Sequence, residues 1–88
     1  MVSKSMVVAL PDGLGGRPVV ELVQVASRYD SSIHIEADTK RVNAKSIMGL
    51  MTLDLGRGET VRVSAEGVDE ENALAGIEDF LKGVRTGF

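Results

Sequence analysis

Ser32-Ile33-His34-Ile35-Glu36-Ala37-Asp38-Thr39-Lys40-Arg41-Val42-Asn43-Ala44-Lys45-Ser46-Ile47-Met48-Gly49-Leu50-Met51 contains a change of period that decides the fold. From Ser32 to Ala37, Ile33 and Ile35 alternate with His34 and Glu36, the two-residue repeat of a strand with one apolar and one polar face. Ala37-Asp38-Thr39-Lys40 supplies turn residues before Arg41-Val42-Asn43, so a hairpin is predicted. At Ser46 the alternation stops. Ile47-Met48-Gly49-Leu50-Met51 is too short and too rich in methionine to favour a strand, and a serine suits a helix start. A short helix is predicted over 46–53.

Upstream, Val2 to Leu10 is rich in β-branched residues and runs into the turn triplet Pro11-Asp12-Gly13, which predicts a first strand. Val19, Leu22, Val23 and Ala26 then recur at helical spacing, with Pro18 tolerated in a first turn, so a helix is expected over 16–28. Downstream, Gly56-Arg57-Gly58 breaks the chain, Thr60 to Ala65 alternates as a strand, and Gly67 closes it. Asp69-Glu70-Glu71 places acidic groups at the start of a last helix, where they read as capping and dipole residues rather than a paired-carboxylate centre. Its apolar stripe is Ala73, Leu74, Ile77, Leu81 and Val84. The order βαββαβα predicts an α+β fold, a sheet covered on one face by helices. The other sheet face is expected to carry Lys4, His34, Glu36 and Arg62 into water.

With 88 residues the chain is expected to be one domain, 1–88. Hydrophobic residues at 43% and charged residues at 26% set it apart from disordered chains. The net charge of −3 argues against direct nucleic-acid binding, which calls for a basic face. No cysteine is present, so a disulfide framework, a thiolate nucleophile and cysteine-ligated zinc are all excluded. Met6 to Leu10 is far too short to span a bilayer and follows no basic-then-apolar leader, so a cytoplasmic protein is expected.

His34 is the sole histidine, which rules out a histidine metal cluster or a serine–histidine–aspartate triad within one chain, and its alternation with Ile33 and Ile35 makes it a solvent-face residue. No catalytic residue, metal ligand or cofactor is expected. Gly13-Leu14-Gly15-Gly16-Arg17-Pro18 is either a plain glycine turn or an anion-receiving loop at a helix start, to which Arg17 adds forked donors. It lacks the lysine and hydroxyl of a P-loop. Ser46, beside Lys45, is either a capping serine or a phosphorylatable hydroxyl, and Met48 and Met51, if outward, would form an adaptable docking patch.

These residues resemble the HPr family of the bacterial phosphotransferase system, and most closely its regulatory branch, Crh. The likeness spans essentially the whole chain. It rests on Gly13-Leu14 with Arg17-Pro18, on Val42 through Met51, and on Ser64-Ala65-Glu66-Gly67 followed by Asp69-Glu70 and Ala73-Leu74. The resemblance implies an open-faced βαββαβα sandwich with a four-stranded antiparallel sheet. In the family's phosphocarriers a histidine between the Gly-Leu and Arg-Pro accepts a phosphoryl group from phosphoenolpyruvate through enzyme I; here Gly15 stands there. Sugar phosphotransfer is therefore expected to be absent, and the chain is expected not to be an enzyme. The resemblance further implies that HPr kinase/phosphorylase modifies Ser46 with ATP. The phosphoprotein would then bind the LacI-type repressor CcpA as corepressor in carbon catabolite control. Arg17, Val20, Gln24, Lys45, Ile47, Met48 and Met51 are the implied partner-binding residues. Alternatives are a phosphocarrier with an altered loop and direct control of a metabolic enzyme. Exchange of the first strand between two copies would give a homodimer.

Overall fold

The computed structural model describes residues 1–11 and 13–83. Its elements are β1 (Val2–Val7), α1 (Arg17–Ala26), β2 (Ser32–Ala37), β3 (Lys40–Asn43), α2 (Ile47–Met51), β4 (Thr60–Glu66) and α3 (Glu70–Leu81). The strands form one antiparallel sheet in the order β1-β4-β2-β3. The predicted hairpin is in place: Ala37 pairs with Lys40, and Asp38 at φ 55° takes the left-handed backbone that a two-residue turn needs.

Period dictates what is buried. Ile33 and Ile35 pair with Ala65 and Val63 on the covered face, where Met6 and Val61 join them. Val19, Leu22 and Ala26 of α1, Leu50 of α2, and Ala73, Ile77 and Leu81 of α3 close over that face. At roughly 1.5–3 kcal/mol for each large apolar side chain, this burial is the main force holding the layers together. The predicted Val84 end of the α3 stripe lies outside the described residues.

Element ends differ from expectation where backbone groups find other partners. β1 leaves the ladder after Val7, and Ala9 N–H then donates to Leu81 O at 2.8 Å, satisfying a carbonyl at the end of α3. α1 stops at Ala26 because the chain tightens, with Arg28 and Tyr29 N–H donating three residues back to Val25 and Ala26. Lys4 corrects the expected polar face. It pairs with Val63, on the helix-covered side of the edge strand, and its ammonium reaches Glu78 of α3 at 2.6 Å. His34, Glu36 and Arg62 do lie on the open face, where Arg62 donates to Ser3 Oγ at 3.0 Å.

Asp69 also behaves differently from a helix cap. Its carboxylate makes no bond to α3 but accepts from Ser31 Oγ, from Ser31 N–H at 2.9 Å and from Asp30 N–H at 2.9 Å. It thereby pins the α1–β2 connection. Gly67 allows the approach: at φ 154° it faces Ser31, and a Cβ there would lie 2.7 Å from Ser31 Cα. The Ser31 hydroxyl, followed by the Asp30 and Ser31 amides, holds the Asp69 carboxyl below its ordinary 3.8. A depressed carboxyl stabilises the fold above its unfolded pKa, and that contribution is lost as pH falls through the lower, folded value. Asp69→Asn is therefore expected to be less stable than the native chain at pH 7, with the gap closing below about pH 4. Denaturant unfolding across pH 2–7 reads this, and a pH-independent gap would contradict it.

Candidate functional site

Two helices and the loop before the first of them make one surface. Leu14 is buried, forms a bridge with Leu55, and donates its N–H to Leu55 O at 2.8 Å. Gly13 fits beneath because its φ is 72° and it has no side chain; a Cβ would sit 2.5 Å from Leu55 O. Pinned there, the chain turns outward through exposed Gly15 and Gly16 into α1. No atom of the described residues lies within 4 Å of a Cβ built on Gly15.

On α1, Arg17, Val20 and Gln24 follow at spacings of three and four and are all exposed, forming one outward stripe. On α2, Leu50 turns inward at 1% exposure while Met48 at 80%, Met51 at 63% and Ile47 at 42% turn out. The methionines expected to face a partner therefore do face solvent. Helices α1 and α2 pack against each other, so the apolar residues of α2 and Val20 of α1 belong to neighbouring elements.

Ser46 is the α2 N-cap. Its backbone is extended, and its Oγ accepts from Gly49 N–H at 3.1 Å. The turn that delivers it is built by Asn43, whose side chain accepts from Lys45 N–H at 2.8 Å and whose carbonyl accepts from Ser46 N–H at 3.0 Å. Asn43 and Gly49 are the residues that pattern reading left out. The Asn43-Ala44-Lys45 spacing before a capping serine is the signal that would have found the first.

Lys45 stands apart from the outward stripe. Its ammonium donates to Tyr29 O at 2.7 Å, just past the end of α1, where helix carbonyls favour a cation. Since Leu14 meets Leu55 at the other end, the two helices pass in opposite senses. Arg17 and Ser46 thus stand at opposite ends of α1, about 15 Å of helix apart. The structure brings Ser46 together with Ile47, Met48 and Met51, and Arg17 with Val20 and Gln24.

Among the described residues no group of three or more metal-ligating side chains converges, and no helix is long and apolar enough to cross a membrane. The family description "PTS HPr component phosphorylation site" matches residues 2–83. The chain is 48% identical over 82 residues to the HPr-like protein Crh of Halalkalibacterium halodurans, covering 93% of this chain and 98% of that one. The crystal structure of the phosphocarrier protein HPr from Bacillus anthracis superposes with a TM-score of 0.88 at 44% identity, covering 90% and 94% of the two chains. The crystal structure of Bacillus subtilis Crh, described as a swapped dimer, does so with a TM-score of 0.78 at 40% identity, covering 99% and 100%. Sequence, topology and these likenesses agree, and the chain belongs to the HPr family.

Proposed function

We propose that this chain is a regulatory member of its family, phosphorylated on Ser46 by an ATP-dependent HPr kinase/phosphorylase and then bound by the repressor CcpA as corepressor. The observation that carries the reading is the pairing of a half-buried N-cap serine with an outward apolar patch, Ile47, Met48 and Met51, on the short helix it caps. The Ser46 hydroxyl accepts one bond from Gly49 and donates to no protein acceptor among the described residues, so its proton is available to a kinase base. In the transfer, the Ser46 O–P bond forms as the β–γ bridging bond of ATP breaks, ADP departs, and the hydroxyl proton passes to the kinase.

The phosphate adds about −1.5 to −2 charge and three acceptor oxygens next to the methionines. A partner arginine would pair with the phosphate while apolar side chains cover Met48 and Met51. Arg17, Val20 and Gln24 extend the contact along α1, and Lys45 serves by holding the Ser46 turn against α1. Preferential binding of the phosphoprotein to the DNA-competent repressor would strengthen repression by linkage, without this chain touching DNA.

The loop supports the other half of the reading. Gly15 offers no nucleophile, and His34 sits on the open sheet face, away from the α1 start. Intact mass and peptide mapping after two incubations test the proposal: HPr kinase/phosphorylase with ATP, and enzyme I with phosphoenolpyruvate. Modification in the ATP reaction alone, at Ser46, is expected. Acid-labile phosphate from phosphoenolpyruvate would restore a carrier role and overturn it.

A second copy of the chain is a further proposed partner, because β1 is an edge strand paired with β4 alone and so can exchange. Light scattering should then show a mass that rises with concentration; a monomer mass throughout counts against exchange.

A further inference from the structure

Gly49 lies inside α2, where glycine is the poorest ordinary helix former, yet its φ is not among the left-handed glycines of this chain. Backbone torsion therefore does not require it. Its surroundings do. A Cβ at position 49 would lie 3.3 Å from Ser46 Oγ, 3.3 Å from Val42 Cβ and 3.5 Å from Ser46 Cβ. On its other side the Gly49 amide donates to that same Ser46 Oγ at 3.1 Å.

We propose that Gly49 is the positioning residue of the Ser46 acceptor: its amide sets where the hydroxyl oxygen sits, and its missing side chain keeps that place clear. This rests on the reading of Ser46 given above. Val42 is held in the β2–β3 ladder opposite Ile35, whereas the Ser46 side chain is held by the one bond to Gly49. A methyl group at position 49 therefore meets two neighbours: the contact with Oγ is relieved by rotating Ser46 about its Cα–Cβ bond, which moves Oγ off the amide, while the contact with Val42 stays whatever residue 46 is. The oxygen that must attack the γ-phosphorus of ATP in line is then displaced, and small displacements of a reacting atom are costly in rate. The outward surface of Ile47, Met48 and Met51 is left intact, so docking is preserved.

Two measurements on the full chain test this. In a thermal cycle the Val42 contact is common to both backgrounds, so Gly49→Ala should shift Tm more favourably in a Ser46→Ala background than in the native one, by the roughly 4–8 °C that a lost cap is worth. In the native background the same change should leave Tm flat or lower it, because the cap is lost as propensity is gained. An equal shift in both backgrounds, up or down, overturns the proposal. In initial-rate assays with HPr kinase/phosphorylase and ATP, Gly49→Ala should lower kcat about tenfold or more with KM within about twofold. A native kcat, or a change confined to KM, overturns it as well. Should the native chain take no phosphate on Ser46, the functional reading above fails, and the thermal cycle alone decides whether Gly49 governs the hydroxyl.

Discussion

Gly15→His is expected to take a stoichiometric, acid-labile phosphoryl group from phosphoenolpyruvate through enzyme I, and the native chain is expected to take none. The physical ground is that position 15 lacks only the nucleophile. Its backbone is not among the positive-φ glycines, and a Cβ there meets no atom of the described residues within 4 Å, so the position accepts a side chain. Behind it the chain runs into the start of α1, where the N-cap Gly16 has no side chain to offer and Arg17, the first helical residue, is exposed. A phosphoryl group on the new ring nitrogen would thus lie near the helix start and a guanidinium, both favourable to an anion, although Pro18 has no N–H to offer and Val19 N–H already donates to Gly16 O at 3.2 Å. The transfer balances simply: the N–P bond of phosphorylated enzyme I breaks as the N–P bond to residue 15 forms. His34 is an internal control, since both chains carry it on the open face of the sheet. A Gly15→His chain that remains unlabelled would show that this surface does not receive enzyme I and that a missing nucleophile at position 15 is not what sets the native chain apart.

Ser46→Ala should abolish ATP-dependent phosphorylation and, with it, any gain in CcpA binding on kinase treatment. The treated variant should bind the repressor no better than the untreated native chain, because the charge and acceptor oxygens that recruit arginine donors are never installed. The same change removes an N-cap acceptor and should cost about 1 kcal/mol, a fall in Tm of about 4–8 °C for a domain of this size. These effects separate cleanly. Loss of binding in a chain that still melts cooperatively belongs to the missing phosphate, whereas kinase-stimulated binding that survives Ser46→Ala would move the regulatory site elsewhere on the surface.

Much of this was legible in the residues. The hairpin from Ser32 to Asn43 follows from strict alternation, and the helix from Arg17 to Ala26 from Val19, Leu22 and Ala26 at helical spacing. Ser46 announced itself as a cap by standing before an apolar run that could not be a strand. These are short-range signals, in which each residue's neighbours in sequence are also its neighbours in space. Lys4 alternates with buried Met6 and Val8, so period alone puts it on the covered face and only its polarity argued otherwise; what lets a lysine stay there, the ion pair with Glu78, depends on α3 returning from far along the chain. Asp69 was read as a cap for its own helix, yet Ser31 and Asp30, nearly forty positions away, offered three donors against none within α3.

By itself the sequence determined the order of elements, their amphipathic faces, the absence of a nucleophile at Gly15 and the candidacy of Ser46. Tertiary structure alone decided that Met48 and Met51 face outward, that Lys45 is spent on the Tyr29 carbonyl, that Arg17 and Ser46 lie at opposite ends of α1, and that a side chain at position 49 would crowd the Ser46 hydroxyl. The division has one physical reason. Period and capping act within a turn or a strand pair, whereas exposure and hydrogen-bond partnership depend on which distant backbone or side chain arrives first at each unsatisfied group.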